Sequence, residues 1–149
     1  MSTLQIRPIS AADHAAWLPL WQGYQRFYNA DIAAEVSALT WPRFLDPAEP
    51  MHAALAWQDG VAVGLVHWIF HRSCWTVSDY CYLQDLYVAE TVRGGGVGRA
   101  LIEQVYAAAQ AYGANRVHWL TQEDNAQARQ LYDRIASRSG FIQYRQLFS

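Results

Sequence analysis

The order of apolar and polar positions divides the chain into short β segments and four helical ones. Leu4 to Pro8 reads as a strand. Ser10 is a helix N-cap with Asp13 in the first turn. Trp17, Trp21, Tyr24 and Tyr28 then follow at spacings of four, three and four, which places one aromatic stripe on a helix. Asn29 and Asp31 end it, and a second helix is expected from about Ile32 to Leu39. Pro42, Pro47 and Pro50 mark a loop-rich segment. From His52 the period is that of β structure: His52 to Trp57, the hairpin signal Asp59-Gly60, then a long strand from Val61 to His71. Val61 to Val66 is apolar on both faces, as suits a central strand covered by helices. A turn over Arg72 to Ser78 leads to the strand Tyr80 to Val88.

The period then changes again. Leu101, Val105 and Ala108 lie three or four apart, so a helix runs from Gly98 to a C-terminal stop at Gly113. Val117 to Leu120 is the next strand, and Asn125 to about Ser137 has helical composition. Ser139-Gly140 closes that helix, and Phe141 to Phe148 predicts one or two final strands. The pattern contains no repeat and no linker, and 149 residues suit one domain, 1–149.

Composition narrows the function. Hydrophobic residues make up 52% and aromatics 14%, which describes a folded, compact chain. The net charge is −2, and all eleven cationic side chains are arginine. A nucleic-acid binder would carry a basic excess, so none is expected as a partner. Cys74 and Cys81 are too few for a disulfide framework. No long apolar run points to a membrane partner or a signal peptide, so a cytoplasmic enzyme is the expectation.

The chemistry concentrates between the strand Tyr80–Val88 and the helix that follows. Gly94, Gly95, Gly96 and Gly98 lie at the junction, flanked by Arg93 and Arg99. Glycines there let backbone N–H groups point outward at a helix N-terminus, where the dipole favours an anion. The arginines add charge-assisted bonds. The ligand should carry a pyrophosphate. A Walker A loop is excluded because no lysine follows Gly98 and the chain has none. A dinucleotide fingerprint is excluded because Arg99 and Leu101 stand where its third glycine belongs.

Arg93-x-x-Gly96-x-Gly98 does fit another pattern: it resembles the acetyl-coenzyme A signature of the GNAT N-acetyltransferases. Asn125, Ala128, Leu131 and Tyr132 match that family's second motif, Asn-x-x-Ala-x-x-Leu/Phe-Tyr. Within the family the chain looks most like the polyamine and histone/polyamine type. That likeness is carried by the Trp17-to-Tyr28 stripe, by Arg43-Phe44-Leu45-Asp46-Pro47 and by Tyr82-Leu83-Gln84-Asp85-Leu86-Tyr87-Val88. Two departures stand out. Gln84 occupies a position where several polyamine acetyltransferases carry a glutamate proposed as general base. Gly140-Phe141 begins eight residues after Tyr132 where four is usual.

The resemblance implies an α+β fold, a mixed twisted sheet of six to seven strands with helices on both faces. It implies acetyl-CoA as co-substrate and direct attack by a primary amine of a polyamine, a lysine-like small molecule or a protein lysine. Leu86, Tyr87 and Val88 would hold the pantetheine arm by their backbone. Gly94, Gly95, Gly96, Val97, Gly98 and Arg99 would hold the pyrophosphate, with Arg93 anchoring the loop. Asn125 would bond the pantetheine and Tyr132 would stand near the sulfur as general acid. Asp85, alternating with Gln84 along the strand, is the candidate base. Tyr24, Phe27, Tyr28 and Gln84 are the candidate acceptor-binding residues, since aromatic faces attract ammonium groups. Homodimerisation is a family expectation. His67, His71 and Cys74 lack the further ligands that a zinc site needs, and no metal is expected. Two rival functions are an acyl-CoA-binding sensor without catalysis and a phosphate-binding module for another nucleotide.

Overall fold

A computed structural model describes residues 3–148. Their backbone contacts fall into two compact units, one ending at Trp119 and one starting at Leu120. The first unit holds the strands β1 (Leu4–Pro8), β2 (Met51–Gln58), β3 (Val61–His71), β4 (Tyr80–Val88) and β5 (Val117–His118). It also holds the helices α1 (His14–Phe27), α2 (Ala34–Leu45) and α3 (Val97–Tyr112). The strands form one sheet in the order β1-β2-β3-β4-β5. All neighbours are antiparallel except β4 and β5, which run parallel, so the sheet is mixed.

Local chemistry accounts for the boundaries. The Asp13 carboxylate accepts from the Ser10 backbone N–H at 2.8 Å and from the Ser10 hydroxyl at 3.1 Å, fixing the turn that leads into α1. Asp59 and Gly60 have φ of 53° and 81°, the pair of positive values that a two-residue I′ hairpin requires. Gly113 ends α3 at φ 93°.

Alternation along β3 separates the two faces of the sheet. Leu65 is wholly buried in a cluster with Trp17, Leu20, Trp21, Trp41, Phe44, Ala53 and Leu55, so it faces α1 and α2. Gly64, one residue earlier, faces α3. A Cβ added to it would lie 3.0 Å from Leu101 Cδ1 and 3.0 Å from the Tyr87 carbonyl oxygen. The α1 face is built on Trp17, whose ring lies 5.0 Å from Trp41, 6.0 Å from Trp21 and 6.2 Å from Phe44.

Two expectations need correction. Helix α2 runs on to Leu45 with Pro42 inside it. Trp41 and Phe44 on either side are buried, and their packing outweighs the interior-proline penalty. Among the described residues the sheet has five strands, not six or seven. Residues 141–148 form no strand, and Phe141, Ile142, Tyr144, Leu147 and Phe148 are largely exposed. Apolar content marks a segment as able to pair, but a strand forms only where a neighbour takes its backbone bonds.

The second unit contains α4 (Ala126–Ile135). Asn125 is its N-cap, with the side-chain oxygen accepting from the Ala128 N–H at 3.3 Å.

The close seating of α3 on β3 yields a stability prediction. Gly64→Ala forces Leu101 or the β4 backbone to move and should cost about 1–3 kcal/mol, the usual range for overpacking. Urea unfolding checks this: the midpoint should fall at unchanged m-value. An unchanged midpoint would refute the tight approach.

Candidate active site

The site rests on an irregularity in β4. His67 pairs with Asp85, and the next residue of β3, Trp68, pairs with Leu83. Gln84 is the extra residue of a β-bulge and is exposed. The bulge shifts the alternation, so Asp85 and Tyr87 turn to the α1 face, opposite His67 and Leu65. Just before it, β4 pairs with β5 only at Cys81–Val117 and Tyr82–His118. Beyond Tyr82 that edge of β4 has no strand neighbour among the described residues. An extended ligand can align with such an edge as an added strand does.

Asp85 is the centre of the polar groups on this face. Its Oδ2 lies 2.9 Å from His67 Nδ1, and the carboxylate side chain is 13% exposed. Tyr24 lies close enough to the same carboxylate to feel its charge. Burial first, then the Asp85 charge, pushes the Tyr24 phenol far above its usual range. Burial and Asp85 also raise Tyr28 and Tyr82, while Arg93 pulls Tyr28 the other way. Three un-ionised phenols thus lie near one partly buried carboxylate.

Of the acceptor residues expected from sequence, Tyr24 and Tyr28 join Asp85, with ring centroids 5.0 Å apart. Phe27 does not, being half exposed beneath the Arg93 guanidinium at 4.8 Å. Gln84 is bulged out. Sequence reasoning missed Tyr82 and His67. An alternating strand puts Tyr82 and Asp85 on opposite faces, and only the bulge unites them.

The glycine loop has the expected geometry. Gly94 and Gly96 have φ of 85° and 86°. Gly96 is the N-cap of α3, with no side-chain cap, so the first-turn N–H groups lack a capping side chain. A Cβ at Gly94 or Gly96 would meet no protein atom within 4 Å, so the loop is open on that side. Arg93 Nε donates to the Val88 carbonyl at 3.0 Å and ties the loop to the end of β4. Arg99 pairs with Glu103 at 3.0 Å on the exposed helix surface. In the second unit, Asn125 spends its amide oxygen on the N-cap, so only its nitrogen can serve a ligand carbonyl. Tyr132 lies two turns further along α4.

The residues weighed as metal ligands go to separate places. His67 meets Asp85, His71 Nε2 lies 3.4 Å from His118 Nε2, and Cys74 is exposed. Among the described residues no three His, Cys, Asp or Glu side chains group as a metal site. Nor is any helix among them long and apolar enough to cross a membrane.

A bulged strand with an open edge, followed by a glycine turn and a helix N-terminus, suits a pyrophosphate-bearing thioester, and sequence comparison agrees. The profile of the Acetyltransferase (GNAT) family matches residues 15–136. The chain belongs to the GNAT family. This GNAT chain is 37% identical over 142 residues to the D-amino-acid N-acetyltransferase HPA3 of Saccharomyces cerevisiae, covering 94% of the chain and 88% of the relative. It is therefore an acetyl-CoA-dependent N-acetyltransferase. Solved structures show the same fold at lower identity. The aminoglycoside acetyltransferase AAC(6')-Iy, bound to a CoA bisubstrate analogue, superposes with a TM-score of 0.85 at 16% identity over 99% of both chains. The ribosomal-protein-alanine N-acetyltransferase of Brucella melitensis biovar Abortus 2308 gives 0.76 at 23% identity over 98% of this chain and 100% of the other.

The cysteines give a direct check on this GNAT domain. Cys81 is fully buried, and burial pushes its thiol up to about 12. With a thiol-disulfide reagent at pH 8, Cys74 alone should react in the native protein. Cys81 should follow only on unfolding, and two fast equivalents in the folded state would contradict its burial.

Proposed function

We propose that this enzyme acetylates a small primary amine seated against Asp85, with α-amino acids as the favoured acceptor class and both compact units acting as one GNAT domain over 1–149. The observation that carries the proposal is the Asp85 carboxylate, held by His67 on the strand with the open edge. The ammonium of the acceptor is drawn to that carboxylate and gives it a proton. For a lysine-like amine near pKa 10.4, reaching the neutral form at pH 7 costs roughly 4–5 kcal/mol, so a base is required. The nitrogen lone pair then forms the C–N bond to the thioester carbonyl carbon and the C–S bond breaks. The nitrogen's second proton passes to the departing sulfur, so CoA leaves as the free thiol. Asp85 returns its proton to solvent.

The co-substrate would lie along β4 beyond the bulge, with the backbone of Leu86, Tyr87 and Val88 holding the pantetheine and polarising the carbonyl. The N–H groups from Gly94 to Arg99 would take the pyrophosphate.

Two observations support amino acids. The yeast relative is a D-amino-acid N-acetyltransferase. Tyr28 feels both Asp85 and Arg93, so charges of both signs flank one phenol, as a zwitterion requires. A second reading, diamines or polyamines, is favoured by Asp31 and by Glu35 in the first turn of α2, which would attract a remote ammonium.

An acceptor panel with free-thiol detection separates these readings. D-amino acids should exceed diamines and simple monoamines in kcat/KM. Since the acceptor must lose a proton, kcat/KM should rise from about pH 6 to about pH 9. Diamines outperforming every amino acid would replace the first reading by the second. Asp85→Asn should lower kcat about 10²-fold or more with coenzyme affinity retained.

The loop is tested separately. Gly96→Val burdens a left-handed position and crowds the cradle, so coenzyme Kd should rise about tenfold or more by calorimetry. Unchanged affinity in a folded variant would remove the loop from the binding site.

A further inference from the structure

We infer that His67, fixed by Trp17, is a positioning residue that holds the Asp85 carboxylate in its working orientation. This rests on the reading of Asp85 as the group that meets the acceptor amine.

His67 is 2% exposed and surrounded by rings, with Phe44 at 4.5 Å, Trp21 at 5.1 Å and Trp17 at 6.1 Å. An imidazole in such a place carries two polar nitrogens that an aliphatic or phenyl side chain would not bring, and each must find a partner. Both do. Trp17 Nε1 lies 3.0 Å from His67 Nε2. An indole nitrogen can only donate, so Nε2 must accept. That bond assigns the tautomer: the ring hydrogen is on Nδ1, which is 2.9 Å from Asp85 Oδ2 and donates to it.

The result is a directed chain from Trp17 through His67 to Asp85, with every donor and acceptor role set by its first member. Its origin is Trp17, 0% exposed in α1, and its middle is in the central strand β3. The orientation of the carboxylate is therefore referred to the rigid core and not to the bulge that carries it. A carboxylate offers about four lone-pair sites, so the His67 donor leaves room for an ammonium. The chain carries no proton to or from the core, because Trp17 has no acceptor site through which one could pass. Its work is to hold Asp85 in place.

The test uses the full chain with His67→Phe, His67→Asn and Asp85→Asn, assayed at saturating acetyl-CoA. His67→Phe keeps the ring volume and removes both nitrogens. It should lower kcat for the amine about tenfold or more, the scale of one hydrogen bond to a charged group, at unchanged CoA Kd. His67→Asn can present an N–H near the position of Nδ1 and should recover most of that loss, which a packing role would not predict. The tautomer is read without any assay: long-range ¹⁵N–¹H spectra of the histidine-labelled wild-type protein should show His67 hydrogen-bearing at Nδ1. That measurement stands even if a variant fails to fold.

Hydrogen at Nε2, or full activity of a folded His67→Phe beside an impaired Asp85→Asn, overturns the inference. So does an equal loss in both His67 variants. If Asp85→Asn itself is fully active while the Nδ1 tautomer is found, the chain exists but the reading of Asp85 fails, and the positioning role falls with it.

Discussion

One extra residue in β4 decides which polar groups meet on the α1 face of the sheet. Without a bulge at Gln84, strict alternation along the strand would turn Asp85 to the α3 face and set Gln84 beside His67. With it, the carboxylate comes to the face where Tyr24, Tyr28 and Tyr82 lie. The same stretch of β4 is where pairing with β5 ends. A bulge adds local twist and bends its strand, and both effects oppose continued pairing. The carboxylate on one face and the open strand edge thus occur together along a few residues.

Such an irregular strand needs a rigid surround. The tryptophans of the α1 face supply it, since Trp21 and Trp41 both pack on Trp17 in the cluster that includes Leu55 of β2 and Leu65 of β3. On the other face Gly64 lets Leu101 of α3 come within contact of the β3 backbone. The central strand is clamped from both sides, and it is also the strand that holds Asp85 through His67. The core packing and the proposed site share one reference point.

The charge distribution suits the proposed amine acceptor in a specific way. A single carboxylate among un-ionised phenols attracts a cation without flooding the site with negative charge, which would trap the ammonium in its protonated form. Arg93 serves both halves of the site: it ties the glycine loop to Val88 and acts electrostatically on Tyr28. A cation at that point suits an acceptor with a carboxylate of its own.

The sequence by itself determined whatever depends on neighbours along the chain. The I′ turn at Asp59-Gly60, the bounds of β3 and β4 and the glycine turn into α3 are local, because positive φ, alternation and helix period are properties of a few consecutive residues. The family was legible too, since Arg93-x-x-Gly96-x-Gly98 lies on one such turn. Tertiary structure decided the rest. The final segment reads as β but forms no strand, because pairing is made between strands and not within them. Pro42 reads as a breaker but stays helical, held by the burial of Trp41 and Phe44. Above all, no spacing reveals that Trp17, His67 and Asp85 meet, since gaps of 50 and 18 residues carry no period. Their alignment comes from the seating of α1 on β3 and from one bulge, and both are settled only when the core packs.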